Sequence, residues 1–417
     1  LNKALKENPL SKHLYKQSTL LNKASIMTLH SFCLEVVREN FFSLGIDPNF
    51  RIADDTEAQL LRIDVLEDLL EKYYQSSEED DDFIKLVDAY GGQRDDGPIE
   101  DLIIKIHQFS QSNPWPDYWL DQVVDNFVSH DWFKELLPSL TIELEVVRNY
   151  LVQAYKYAQS PQGPLGYLNN IAQELAYVDD LIRAAQVSWQ ELYETFSQES
   201  FKRLPGIKKG SVDENLQARV KELREKAKKK IKDLEDKYFL RAPQEFLEDL
   251  TRIQPYLKTL CQLVKDFAKE YQERKAKKNL VDFNDLEHFC LQVLLAEDSQ
   301  PGLVLPSEVS LKLKERFVEV LVDEYQDINE VQETILSLVA KENNMFMVGD
   351  VKQSIYRFRL AKPELFLAKY QSYTFAPEAI NRRIDLAKNF RCSKAIVDGV
   401  NYLFCQIMTP NVGEMAY

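Results

Sequence analysis

The stretch Phe317-Val318-Glu319-Val320-Leu321-Val322-Asp323-Glu324-Tyr325-Gln326-Asp327 decides how this chain is read. Its first half is apolar, reads as a buried strand of a parallel sheet, and empties directly into three acids, Asp323, Glu324 and Asp327. The pattern recurs downstream, where Met345-Phe346-Met347-Val348 runs into Gly349-Asp350 and then Lys352-Gln353-Ser354. A helix expected over 329–340 lies between them, giving strand, helix and strand in about thirty residues, the length of a βαβ crossover. Ligands of open parallel sheets sit at the carboxyl ends of the strands, so both polar clusters are expected to face one crevice. That crevice is read as the place of a nucleotide and its magnesium.

The residue types fit phosphoryl transfer. An aspartate followed by a glutamate at a strand end divides two jobs: Asp323 holds Mg²⁺ through its water shell, and Glu324 orients and deprotonates the attacking water. Gln353 is an uncharged side chain able to hydrogen-bond both a water and a terminal phosphate. Arg391 has the fork geometry suited to phosphate oxygens, and the preceding Phe390 offers a face to a purine ring. Tyr356, Arg357, Phe358 and Arg359 interleave rings with guanidinium groups, a combination suited to stacking unpaired bases and tracking a backbone. For any one of these residues ordinary packing is the simpler reading. Jointly they point to nucleotide and nucleic acid.

Outward from this stretch, 417 residues are too many for one ordinary core, and two or three domains are expected. Hydrophobic residues make up 45% and charged residues 29%, a globular balance. No apolar run approaches the roughly 18 to 20 residues of a membrane span, and the first residues lack a signal-peptide pattern, so a cytoplasmic location is expected. Five cysteines, at 33, 261, 290, 392 and 405, include no CxxC pair and read as reduced thiols. The histidines are scattered, which argues against a histidine metal centre. The net charge of −15 is awkward for a nucleic-acid binder, but it hides a local asymmetry. Glu78-Glu79-Asp80-Asp81-Asp82 reads as a solvated acidic loop, whereas Lys202 to Lys232 carries twelve Lys or Arg against four acids. A phosphate backbone needs only a local basic stripe.

In chain order, residues 1–24 are polar, lysine-rich and of helical cast, interrupted by Pro9. Ser25 to Leu29 reads as a short strand turning into a helix at His30 and Ser31, whose free N–H groups could meet an anion; Ser31 as a plain helix cap is the simpler alternative. From Asp54 to about Lys278 the pattern is helical, with amphipathic stretches at 57–74, 98–109, 165–197 and 213–238 separated by punctuation such as Gly91-Gly92 and Pro161-Gln162-Gly163-Pro164. In the last of these, Leu216, Val220, Leu223, Ala227, Ile231, Leu234 and Tyr238 form one apolar stripe, and Lys226, Lys228, Lys229, Lys230 and Lys232 fall mainly outside it. Aromatic residues of 115–133, among them Trp115, Trp119, Trp132 and Phe133, read as one helical core cluster. The sheet pattern resumes at Leu280-Val281, with Asp285 at the head of a helix through Leu294, and Ile384 to Ala387 alternates toward Asn389 and a final helix.

Five segments in order resemble successive motifs of the UvrD-like superfamily 1 DNA helicases. They are Thr28-Leu29-His30-Ser31-Phe32-Cys33, Asp282-Phe283-Asn284-Asp285-Leu286, Asp323-Glu324-Tyr325-Gln326-Asp327, Gly349-Asp350-Val351-Lys352-Gln353-Ser354-Ile355-Tyr356-Arg357-Phe358-Arg359 and Asn389-Phe390-Arg391-Cys392-Ser393. The wording from Lys352 to Arg359 and the long helical insertion are most similar to the helicase–nuclease branch of the AddA or RexA type. The resemblance implies an α/β fold, a RecA-like parallel-sheet domain with a large helical insertion. Residues 1–53 and 279–383 would be parts of the first motor domain, 54–278 the insertion, and 384–417 the start of a second motor domain. It implies ATP and Mg²⁺ as cofactors, with Asp323 on the metal, Glu324 activating water, Gln353 coupling the γ-phosphate to the DNA site, Phe390 on adenine and Arg391 on the γ-phosphate. Thr28, His30 and Ser31 would touch the DNA backbone, and Tyr356, Phe358 and Arg359 would meet single-stranded DNA. The implied partners are single- and double-stranded DNA and a nuclease subunit of the AddB or RexB type.

Two positions depart from the family pattern: Leu360 stands where a glycine is usual, and Lys362 where an acid is usual. No GxxxxGKS or GxxxxGKT phosphate loop occurs in the chain. The expectation is therefore an internal piece of a longer ATP-dependent helicase and exonuclease subunit that resects DNA ends for recombinational repair, with negligible ATP turnover on its own. A nuclease-free repair helicase and a non-catalytic DNA-binding scaffold are the alternatives.

Overall fold

The structure is a computed structural model, and it describes all residues except 22–23, 79–80, 92–95, 198–200, 209 and 410–416. Glu79 and Asp80 of the acidic run, Gly92 and Lys209 lie outside the described residues. Two compact units are present, one comprising Leu1–Val124 and Tyr256–Ala387, the other Asp125–Pro255 and Lys388–Tyr417. The helix Pro243–Lys277 carries Pro255 in its interior, where the missing N–H interrupts the ladder, and the division between units falls there.

Among the described residues the first unit holds every strand. β1 (Arg51–Ile52) pairs in parallel with β2 (Leu280–Val281), and β3 (Val320–Val322) pairs in parallel with β4 (Met345–Met347). Parallel neighbours need a crossover, and both crossovers are helical: helix Glu330–Val339 joins β3 to β4, and the long helical region separates β1 from β2. Arg51 N–H donates to the Asn279 carbonyl at 3.0 Å and Ala53 N–H to the Val281 carbonyl at 2.9 Å, so the chain leaves the sheet at β1 and returns beside its point of departure. β1 is too short to read from periodicity.

Several sequence expectations need correction. Ser25 to Leu29 is not a strand: no described strand pairs with it, Ile26 is 80% exposed, and Leu29 already begins the helix Leu29–Glu39. The run at 317–322 is not buried on both sides. Val320 and Val322, with Met345 and Met347, pack against the cluster of Tyr325, Ile328 and Leu336, whereas Leu321 is 68% exposed, because period-two alternation sends it to the sheet's other face. Ile384 to Ala387 likewise has no strand partner among the described residues.

Elsewhere in the first unit the helices Leu29–Glu39, Phe283–Leu294 and Glu330–Val339 share one core of Cys33, Val37, Leu286, Cys290, Val331 and Ile335. A second core of this unit gathers Leu66, Ile99, Ile103, Val264 and Phe267 from residues 53–120 and 260–280. Phe283–Leu294 begins with a capping box in which the Asp282 and Asp285 carboxylates each accept the other residue's backbone N–H. Both acids are buried, and the buried Lys275 ammonium donates to Asp285 at 2.6 Å and to Asp282 at 3.2 Å, with the Tyr271 hydroxyl also on Asp282. This segment of the helicase-like motif set is therefore a structural clamp.

The second unit is helical. Its core runs along helices Trp132–Gln159, Leu168–Val187, Trp189–Phe196 and Glu214–Tyr238. The amphipathic stretch at 165–197 is divided at Ser188, whose extended backbone and hydroxyl cap the helix that follows. Helix Glu214–Tyr238 buries Val220, Leu223, Ala227, Ile231 and Leu234, as its stripe predicts, and leaves Lys226, Lys228, Lys229 and Lys232 exposed, while Lys230 is paired with Glu143. The aromatic residues of 115–133 do not form one cluster. Trp119 meets Phe109 in the first unit, and Phe133 meets Trp189 in the second.

Because Lys275 is the buried cation that donates to both carboxylates, Lys275→Ala should lower the free energy of unfolding by about 3–5 kcal/mol in chemical denaturation. A loss no larger than that of a surface substitution, about 0.5 kcal/mol, would contradict the clamp.

Candidate functional site

The ladder continues past the strands and brings their ends together. Val348 N–H donates to the Val322 carbonyl and Tyr325 N–H to the Val348 carbonyl, both at 2.9 Å. The polar turns that follow β3 and β4 are therefore adjacent. In the first turn Glu324 adopts a left-handed backbone, φ 49° and ψ 42°, and its N–H donates to Asp323 Oδ1 at 3.0 Å. A non-glycine residue there is strained, and such strain concentrates at functional sites.

Gln326, 1% exposed, joins the two turns. Its amide nitrogen donates to Glu324 Oε2 at 2.7 Å and to Asp327 Oδ2 at 3.3 Å, and its amide oxygen accepts the Asp350 N–H at 3.0 Å. Gly349 is required beside it: a Cβ there would collide with the Gln326 side-chain oxygen and crowd the Phe366 ring. Asp350 in turn accepts from Gln353 Nε2 at 3.0 Å and pairs with Lys352 Nζ at 2.9 Å. Burial pushes the Asp350 carboxyl upward, but these donors outweigh it and hold it below the usual carboxylate range. Asp327 goes the other way, raised by burial and by the neighbouring Glu324 charge. Asp327 Oδ1 and Ser354 Oγ are buried without a hydrogen-bond partner, so the turns carry polar capacity that the protein does not use.

Among the predicted residues, Asp323, Glu324 and Gln353 thus meet in one hydrogen-bonded cluster through Gln326 and Asp350. Neither Gln326 nor Asp350 was assigned a role from sequence, although both sit inside the motifs. Among the described residues no group of three His, Cys, Asp or Glu is arranged as a metal cage. A Mg²⁺ that takes one carboxylate and otherwise phosphate and water fits this donor set, since Asp323 commits only Oδ1 and the orphaned Asp327 oxygen is in the same turn.

Two further groups lie in this unit. Thr28 caps helix Leu29–Glu39, accepting the Ser31 N–H at 3.3 Å, and its hydroxyl lies 2.9 Å from the Ser31 hydroxyl. His30, beside them in the first turn, has Nε2 3.0 Å from Glu287 Oε1. Beyond Gln353, the Arg359 guanidinium lies 5.3 Å from the Tyr356 ring centre and 5.6 Å from that of Phe358, which is 75% exposed. Leu360, where the resemblance leads to the expectation of a glycine, takes a left-handed backbone with φ 65°, a conformation that glycine adopts without strain. Lys362 pairs with Glu330 at the head of the helix after the acidic turn. Phe390 and Arg391 belong to the second unit, where Phe390 is 91% exposed and the Asn389 side chain accepts the Arg391 N–H at 2.9 Å.

A turn of acids is thus tied to a turn bearing glutamine, ahead of exposed aromatic and guanidinium groups. The chain belongs to the UvrD/REP helicase family: the model of the UvrD/REP helicase N-terminal domain matches residues 2–374. Its relatives include proteins named as ATP-dependent helicase/nuclease subunits. It is 44% identical over 464 residues to that of Heliobacterium modesticaldum and 45% identical over 432 residues to that of Pelotomaculum thermopropionicum, matching 100% of this chain and 33% and 34% of those proteins. The chain thus spans about a third of the length of these relatives. Among the described residues no helix is long and apolar enough to cross a membrane.

Gly349→Ala should force Gln326 aside, lowering stability by about 1–3 kcal/mol as overpacking does. Thermal denaturation checks this, and an unchanged transition would show that the two turns are not held in this register.

Proposed function

We propose that the two strand ends form the hydrolytic side of an ATP site in a DNA helicase motor, and that the intact protein is the helicase–nuclease subunit of a cytoplasmic machine that unwinds and resects DNA ends for recombinational repair. The observation that carries this reading is the hydrogen-bonded chain Glu324, Gln326, Asp350, Gln353. Asp323 would hold Mg²⁺, which when bound supplies neutralisation of the charge that develops on the phosphates. Glu324 acts as general base toward water, its Oε2 fixed by Gln326 and its backbone turned by the left-handed conformation. Gln353 commits one amide hydrogen to Asp350 and retains a second N–H and a carbonyl. Those two functions are what contact with a phosphate oxygen and a water requires.

In this reading Phe390 stacks on the base and Arg391 meets the γ-phosphate. Thr28, His30 and Ser31 take the backbone of single-stranded DNA, and Tyr356, Phe358 and Arg359 its bases. The helical residues 54–278 are an insertion in the first motor domain, and residues 384–417 open the second. The exposed lysines of helix Glu214–Tyr238, Lys228, Lys229 and Lys232, supply a local stripe for duplex DNA in a chain of net charge −15. A second protein of the AddB type is the expected partner, in keeping with the subunit naming of the relatives.

In the intact protein, Glu324→Gln should cut DNA-stimulated ATP hydrolysis by about 10²–10⁴-fold, the usual share of a general base, with nucleotide affinity little changed. Near-normal turnover in that variant, measured by phosphate release, would remove Glu324 from the chemistry.

A further inference from the structure

The helix Phe283–Leu294 carries a carboxylate that the ATP site does not use. Glu287 is 3% exposed, a costly place for a charge without donors. Its Oε1 lies 3.0 Å from His30 Nε2 and accepts from Gln332 Nε2 at 2.7 Å, and its Oε2 accepts from Asn329 Nδ2 at 3.4 Å. Three segments thus converge on one side chain: the Thr28–Ser31 turn, its own helix, and the cap of helix Glu330–Val339. Asn329 and Gln332 form that cap as a reciprocal box, two residues beyond Asp327.

The His30 ring is held on a second side as well, edge-on to Phe283 with centres 5.1 Å apart. Its side chain keeps 40% exposure, so it is fixed at one nitrogen and open at the surface beside Thr28 and Ser31. An imidazolium in this place presents Nδ1–H outward while Nε2–H is spent on Glu287.

We propose that Glu287 is a positioning residue: it holds His30 in its charged form and in one orientation, so that the first turn of helix Leu29–Glu39 offers a cation with two hydroxyls to a phosphate of single-stranded DNA. This rests on the reading of Thr28, His30 and Ser31 as backbone contacts. The bond to Glu287 raises the His30 titration above its ordinary value against the opposing effect of burial. Burial pushes Glu287 upward, but His30, Gln332 and Asn329 outweigh it and keep the carboxylate low. Other charges around the pair do not substitute for it. On the Glu287 helix, His288 is pushed down by burial; Lys275, on helix Pro243–Lys277, is held by Asp282 and Asp285. On helix Glu330–Val339, Glu330 pairs with Lys362 and Glu333 with Lys369. Cys290, also near Glu287, has its thiol pushed up, chiefly by Cys33. Glu35, Arg38 and Glu39 follow a turn or more along the His30 helix.

The sign follows. A histidine whose folded value is raised stays charged at and above its ordinary range and loses the charge as pH rises through the folded value. The test uses the intact protein without nucleotide, an oligothymidylate probe, and affinity measured by fluorescence anisotropy against pH and salt. Wild type should weaken as pH rises through a midpoint above about 6.5, the free histidine value. His30→Gln keeps a donor for Glu287 and carries no charge; it should abolish that transition and reduce the low-pH salt slope by about 0.7, one phosphate on a single strand. Glu287→Gln should retain a transition but move its midpoint down, and Glu287→Asp should restore part of the shift. If His30→Gln changes neither affinity nor slope, the backbone-contact reading fails and the proposal falls with it. If His30→Gln acts but Glu287→Gln leaves the midpoint in place, the positioning role alone is overturned. Should Glu287→Gln not fold, a wild-type midpoint at or below about 6.5 overturns the proposal unaided.

Discussion

One buried amide holds the candidate site together. Gln326 can bridge the two turns because an uncharged amide donates from one end and accepts at the other. It presents N–H to the carboxylates of Glu324 and Asp327 and its oxygen to the Asp350 backbone. A carboxylate in that position would repel the acids, and an apolar residue would leave the Asp350 N–H and two carboxylate oxygens without their partner. The neighbouring peculiarities follow from this demand. Gly349 lacks a Cβ because the Gln326 oxygen occupies the space, and Glu324 takes a left-handed backbone at the point where its carboxylate reaches Gln326. Strain and missing volume are tolerated here because the bridge fixes two strand ends in one register.

A comparable logic recurs at two other buried charges of the same unit. Lys275 binds a pair of acids at the start of helix Phe283–Leu294, and Glu287 gathers three donors from two other segments one turn later. Each charge is buried with enough partners to offset desolvation, and each ties the helix after β2 to a different part of the unit. The helix is thereby fixed at its head by a clamp and along its side by the His30 contact. The acidic turn after β3 and the Thr28–Ser31 turn are connected through side chains at its flank, by way of Asn329 and Gln332.

Much of this was legible in the residues. Apolar runs ending in acids located β3 and β4, and stripes at three- and four-residue spacing located the long helices, since burial of one face is a local pattern. The motif wording placed Asp323, Glu324 and Gln353 on neighbouring turns. What was not legible depended on tertiary pairing. β1 is two residues long and exists because β2 lies beside it. Ser25 to Leu29 has strand-forming residues but no described partner. Leu321 belongs to an apolar run yet faces outward, because hydropathy reports composition and not which face is covered. Gln326 and Glu287 escaped notice for the same reason: the Asp350 N–H that Gln326 accepts lies 24 residues away and the partners of Glu287 lie 42 or more, and no local spacing signals them. The Asp282-Phe283-Asn284-Asp285-Leu286 segment was recognised as a motif, but only the structure showed its acids satisfied by a lysine.

The central claim is that the acids closing β3 and the glutamine following β4 serve a single triphosphate. A crystal structure of the intact protein with a non-hydrolysable ATP analogue and Mg²⁺ tests it most directly. The account predicts the metal at Asp323, with Glu324 and the free edge of the Gln353 amide both turned to the γ-phosphate and its lytic water, and the Gln326 bridge intact. A γ-phosphate contacted by only one of the two turns, or bound with the Gln326 bridge broken, would contradict it.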